Sequence, residues 1–123
     1  RILWRGHGPH GDLPALLSRA SALVAPFIDA GLGLVAAEAQ LCETPPVAYA
    51  SGGLTDVIEN GVTGSLVPAS DIPALAVALD RMIADPDRRA MIGRAGRAAA
   101  LSRYSPPEVA ARYARIYRDV AAS

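Results

Sequence analysis

Two short apolar runs constrain this chain more than any other feature. Ala22-Leu23-Val24-Ala25 is closed by Pro26, and Pro46-Val47-Ala48-Tyr49-Ala50 runs into Ser51-Gly52-Gly53. Neither is long enough for a helix. Runs of this kind suit strands buried on both faces of a parallel sheet. Between them lie a loop over residues 27–32, a helix over 33–41 and a turn at Glu43-Thr44-Pro45. The first run, the helix and the second run together make one strand–helix–strand crossover, which is the unit of a Rossmann-like sheet.

The pattern extends to either side. Residues 1–5 read as a strand, as if continuing from an upstream segment, and Gly6 to Gly11 form a loop. Asp12 is placed to cap a helix with Leu13, Leu16, Leu17 and Ala20 on one face. After Gly53 a short helix over residues 54–59 stops at Asn60-Gly61, and residues 63–67 read as a last strand. Beyond Pro68 the strand signal vanishes. Helices are expected over residues 71–84, 86–103 and 107–121, the last with Val109, Tyr113, Ile116, Tyr117 and Val120 on one apolar stripe suited to packing. The fold class read from this order is α/β, a parallel sheet flanked by helices with an all-helical end. It is taken as one partial domain, with residues 1–68 as its α/β part and 69–123 as its terminal helices.

Composition excludes several classes of function. The 12 basic and 12 acidic side chains cancel, so no broad positive field draws in nucleic acid. Cys42 is the single cysteine, which excludes an internal disulfide framework, and no apolar run approaches a membrane span. These features fit a cytoplasmic protein without a transmembrane segment, and they leave room for peripheral membrane association of a longer parent. His7 and His10 sit in a glycine-proline loop without a supporting acidic or thiol cluster, so they read as loop residues and no metal is expected. Ser51 lacks the Gly-x-Ser-x-Gly setting of a hydrolase nucleophile, and no histidine follows it. Cys42 reads as a small residue on the buried side of a helix end. Arg88, Arg89, Arg94 and Arg97 read as a solvated face offset by Asp80, Asp85 and Asp87.

Chemistry concentrates between Ala25 and Gly64. Gly31-Leu32-Gly33-Leu34-Val35-Ala36 joins a strand to a helix in a Gly-x-Gly-x-x-Ala pattern. Glycines there allow close backbone approach, and the amides opening the helix suit a phosphate. A dinucleotide fold would need an acidic residue at the end of the next strand, but that strand ends Tyr49-Ala50. Glu38 is the lone carboxylate of its helix, among Val35, Ala36, Ala37, Ala39 and Leu41. It lies either on the exposed face or near the crevice at the strand ends, where it would accept two hydrogen bonds from the vicinal hydroxyls of a ribose.

The run from Val24 to Cys42, followed by Thr44-Pro45, Ser51-Gly52-Gly53-Leu54, Asp56-Val57-Ile58, Asn60-Gly61 and Thr63-Gly64-Ser65-Leu66-Val67, resembles the retaining group 1 glycosyltransferases. The resemblance implies two facing Rossmann-like domains, the GT-B architecture, with this chain supplying the distal part of the C-terminal, donor-binding domain. It implies that Glu38 is the second of two signature glutamates and holds the ribose of a nucleoside-diphosphate sugar. It also implies that the backbone of Gly31, Leu32, Gly33, Leu34 and Val35 approaches the donor sugar and diphosphate, and that Ser51, Gly52 and Gly53 form a candidate pocket loop. For that loop, backbone access and a simple tight turn explain the residues equally well.

There are departures. Ala30 stands at the first glutamate of the signature, so the catalytic residue is left unassigned, with the neighbouring Asp29 only a weak substitute. Glu43 and Pro46 stand where the family has glycine and an apolar strand residue, and Pro106 stands in place of a common tryptophan after Tyr104-Ser105. The family's diphosphate-binding arginine and lysine lie upstream, and Arg1 and Arg5 are not secure substitutes. The expected function is therefore sugar transfer from a nucleotide sugar with retention, without cofactor or metal. The acceptor would be held by an N-terminal domain of the same parent, and this segment alone would be inactive. A degenerate binding or assembly domain, motivated by Ala30, is the alternative, and a nucleotide-sugar epimerase is a weaker one.

Overall fold

The computed structural model describes residues 1–123. Its elements are a 3-10 turn over His10–Asp12, then α1 (Leu13–Arg19), β1 (Leu23–Ala25), α2 (Leu34–Leu41), β2 (Pro46–Tyr49), α3 (Leu54–Val57), β3 (Ser65–Val67), α4 (Ile72–Ala84), α5 (Pro86–Tyr104) and α6 (Pro106–Ala122). The three strands form one parallel sheet in the order β1-β2-β3, with Val24 opposite Val47 and Ala48 opposite Leu66. This is the Rossmann-like α/β arrangement expected from the order of apolar runs. Pro46 opens the central strand, where its missing amide is harmless because the ladder begins with Leu23 N–H donating to Pro45 C=O.

Side chains alternate across β2 and so feed two cores. Ala48 joins Ala25, Ala36, Ala37, Leu54, Val57 and Ile58 on one face. Val47 joins Met82 and Ile92 on the other, beside Leu75 and Leu79. The alanines bring α2 close onto the sheet. Helix α5 then packs on α2 at the amino end of the strands. A Cβ on Gly93 would overlap the carbonyl oxygen of Glu43, and one on Gly96 would lie 3.1 Å from Cγ of Gln40. Gln40 is itself 1% exposed and donates through Nε2 to the carbonyls of Val57 (3.1 Å) and Thr63 (3.3 Å), tying α2 to the ends of α3 and β3.

Several expectations are corrected. Residues 1–5 form no strand: they lie outside the sheet without a ladder partner, and Trp4 is 93% exposed. Asp12 makes no side-chain cap, because the 3-10 turn already holds it in a helical conformation, and of its helix only Leu17 is buried. Burial on both faces holds for β2 but not for β1, whose Val24 is exposed at the sheet's edge. Helix α3 ends at Val57, before Asn60-Gly61, because Ile58 turns extended to enter the core. Cys42 is half-buried rather than buried. Arg89 and Arg97 are not simply solvated: Arg89 Nη1 donates to the carbonyls of Met82 and Ile83, and Arg97 Nη1 donates to that of Leu41, so each closes a helix end. Neither pairs with Asp80, Asp85 or Asp87; Asp85 instead caps α5 through Arg88 N–H. The stripe on α6 is not packed, since Tyr113, Ile116, Tyr117 and Val120 are all more than half exposed and no residue of α6 is buried.

Candidate functional site

The carboxyl ends of β1 and β2 open into two loops, residues 26–33 and 50–53, and these loops are bonded to each other. Ser51 Oγ donates to Ile28 C=O and accepts from Ala30 N–H at 3.3 Å. Gly53 N–H donates to the carbonyls of Ala30 (3.3 Å) and Gly31 (2.8 Å). The approach leaves no room for side chains. A Cβ on Gly52 would overlap the carbonyl oxygen of Ala30, and one on Gly53 that of Gly31. Gly33 is doubly constrained, with φ of 72° and a would-be Cβ 2.9 Å from Gly53 O. Glycine at 33, 52 and 53 thus follows from loop-on-loop packing, whereas Gly31 has open space at the Cβ position.

Gly33 is the N-cap of α2 in the left-handed conformation. Its carbonyl receives the amides of Ala36 and Ala37, while the amides of Gly31, Leu32, Gly33, Leu34 and Val35 make no hydrogen bond within the protein. Five successive amides without a partner in the protein, at the start of a helix and the carboxyl end of a parallel sheet, are an arrangement able to receive an anion. Gly31, Leu32 and Leu34 are exposed there.

Glu38 lies one turn along α2 from Leu34 and on the same face. It is half-buried and its carboxylate has no ion pair or hydrogen bond. The neighbouring Ala36, Ala37, Ala39 and Gln40 are buried. Asp29 is exposed at the tip of the first loop, while Ala30 is half-buried and packs against the core around Leu54. Arg1 and Arg5 are exposed in the N-terminal segment. The structure therefore brings Gly31 to Gly33 and residues 51–53 together at the carboxyl end of the sheet, with Glu38 further along the helix that begins there.

Glu43 stands out at the other end of α2. Its φ is 59°, and it occupies the position after the helix C-cap where Glu43 N–H donates to Gln40 C=O and Thr44 N–H to Ala39 C=O. That double bond pattern requires a left-handed residue, normally glycine. Thr44 is held further by Oγ1 donating to Leu17 C=O at 2.6 Å. Gln40 and Thr44 lie within the residues that carry the family resemblance, but no sequence pattern assigned them these ties, since their partners are distant backbone carbonyls. A cavity of about 630 Å³ between β3 and α4 is lined by Asn60, Ser65, Asp71, Arg81 and Arg88 among others, and by no residue of the two loops.

Residues 1–99 match the family model described as glycosyl transferases group 1. The chain belongs to that family. As a group 1 glycosyl transferase chain it is 38% identical over 120 residues to alpha-maltose-1-phosphate synthase of Mycolicibacterium smegmatis, covering 93% of this chain and 31% of that protein. It is 46% identical over 83 residues to D-inositol 3-phosphate glycosyltransferase of Salinispora tropica, covering 68% of this chain and 17% of that protein. Among solved structures, sucrose-phosphate synthase from Thermosynechococcus elongatus superimposes with a TM-score of 0.91 at 36% identity, covering all of this chain and 31% of that one. HepE from Anabaena, solved in complex with UDP-glucose, superimposes with a TM-score of 0.77 at 29% identity, covering 88% of this chain and 30% of that one. The group 1 chain thus spans less than a third of the length of these relatives, and its fold is that of GT-B glycosyltransferases.

Proposed function

We propose that this chain is the donor-binding segment of a cytoplasmic glycosyltransferase that moves a sugar from a nucleoside-diphosphate sugar to an acceptor with retention of configuration. The observation that carries this reading is the run of five free amides from Gly31 to Val35, on the helix whose next turn presents Glu38. The amides would receive the diphosphate oxygens, and their fixed dipoles would stabilise the charge that develops as the diphosphate departs. The Glu38 carboxylate would accept two hydroxyls of the ribose, holding the nucleotide in register with the amides. HepE in complex with UDP-glucose supports a nucleotide sugar as ligand. Neither a metal nor a cofactor enters the proposed chemistry. An N-terminal domain of a longer parent would hold the acceptor, and the segment alone would bind donor without turnover.

One observation favours a second reading. Ala30 stands where the resemblance expects the first signature glutamate, and its methyl group packs into the core instead of offering a carboxylate. A binding-only domain would share the ribose and diphosphate contacts and lack transfer. Titration of the chain with UDP, ADP, GDP and their glucose or mannose conjugates tests the donor site, with saturable binding of at least one pair expected. Turnover by the longer parent then separates transferase from binding domain.

A further inference from the structure

We infer that Ser51 is a positioning residue for the donor, a role that rests on the donor-binding reading above. Its hydroxyl sets which way the peptide groups of the first loop face. Ser51 is 8% exposed, and its one hydroxyl serves two groups on either side of Asp29, donating to Ile28 C=O and accepting from Ala30 N–H. Gly53 N–H continues the contact by donating to the carbonyls of Ala30 and Gly31.

In a planar trans peptide the carbonyl of one residue and the amide of the next point in opposite directions. Drawing the carbonyls of Ile28, Ala30 and Gly31 toward residues 51–53 therefore turns the amides of Asp29, Gly31 and Leu32 away from that loop, and none of these three has a partner within the protein. The second loop sorts the first one, drawing the carbonyls of Ile28, Ala30 and Gly31 and the amide of Ala30 toward itself and leaving the amides of Asp29, Gly31 and Leu32 facing away. Gly53 does this with its backbone. Ser51 does it with a side chain, in a fold position where alanine would keep the backbone and lose both bonds. The carbonyl of Ile28 would then be freed to rotate outward, placing a negative dipole where the diphosphate must come.

The test compares wild type, Ser51→Ala and Ser51→Thr by amide hydrogen exchange and by titration with UMP, UDP and UDP-glucose, together with the adenosine and guanosine series. In Ser51→Ala, exchange at Ala30 and Gly53 should accelerate. Affinity for the diphosphate and its sugar conjugate should fall about tenfold, the effect of losing a correctly aimed charge-assisted bond. Affinity for the monophosphate, held through the ribose, should change less than about twofold on the same scale. Ser51→Thr keeps the hydroxyl and should restore both exchange and affinity. A fall equal for mono- and diphosphates, or accelerated exchange with unchanged affinities, would overturn the role of Ser51 alone. A wild-type chain that binds none of these nucleotides would overturn the donor reading, and this role with it. Should Ser51→Ala not fold, Ser51→Cys, which keeps the volume and weakens both bonds, must show the same order of effects.

Discussion

Gly52 lies directly against the carbonyl oxygen of Ala30, so that the smallest side chain added at 52 would overlap it, and the backbone at 52 is also left-handed, with φ of 48°. Gly31 sits in the facing loop with open space around its Cβ position. The two glycines should therefore respond differently to the same substitution. Gly52→Ala is expected to cost at least about 2 kcal/mol from overlap and backbone strain, whereas Gly31→Ala should stay within about 0.5 kcal/mol. Chemical denaturation of the two variants checks this, and equal costs would contradict the loop-on-loop account.

Glu43 pays a conformational penalty that glycine would not, because its φ of 59° is imposed by the double hydrogen bond closing α2. Its side chain is exposed and makes no ion pair or hydrogen bond. Glu43→Gly should stabilise the chain by about 1 kcal/mol, raising the thermal midpoint by about 4 °C. A lowered midpoint would mean that Glu43 makes contacts that outweigh its strain.

Gln40 holds the carbonyls of Val57 and Thr63 from within the core. Gln40→Met keeps the volume and leaves both carbonyls without a donor, so a loss of about 2–4 kcal/mol is expected from equilibrium unfolding. A change below about 0.5 kcal/mol would show that the carbonyls find other partners.

The stripe on α6 should be nearly silent in this chain. Tyr113→Ser and Ile116→Ser remove residues that are 58% and 57% exposed, so stability should move by less than about 0.5 kcal/mol. A loss of about 3–5 kcal/mol, as for a core aromatic, would contradict the observed exposure.

These cases mark what the sequence made legible. The strands around Val24, Val47 and Leu66 were readable because short apolar runs bounded by proline and glycine have few other solutions. The glycine turn that opens α2 was readable as a pattern for the same local reason. The stripe on α6 was not, since periodicity identifies an apolar face and says nothing about whether a neighbour covers it. Residues 1–5 failed likewise, because a strand exists only with a ladder partner. The ties made by Ser51, Gln40, Thr44 and Arg97 were invisible because each joins a side chain to a backbone group at least 17 residues away, and no residue type advertises that partner. Gly52 and Gly53 stood between a pocket loop and a tight turn in sequence. The fold shows why neither can carry a side chain.

The central claim is that α2 presents one nucleotide site, with the free amides from Gly31 to Val35 at its start and Glu38 one turn on. Calorimetric titration of wild type and Glu38→Ala with nucleoside diphosphates tests it most directly. Wild type should bind at least one of them saturably, and Glu38→Ala, with its thermal midpoint retained, should bind it about tenfold or more weakly through loss of the ribose hydrogen bonds. Equal affinity in the two proteins would contradict the assignment of Glu38 to the ribose.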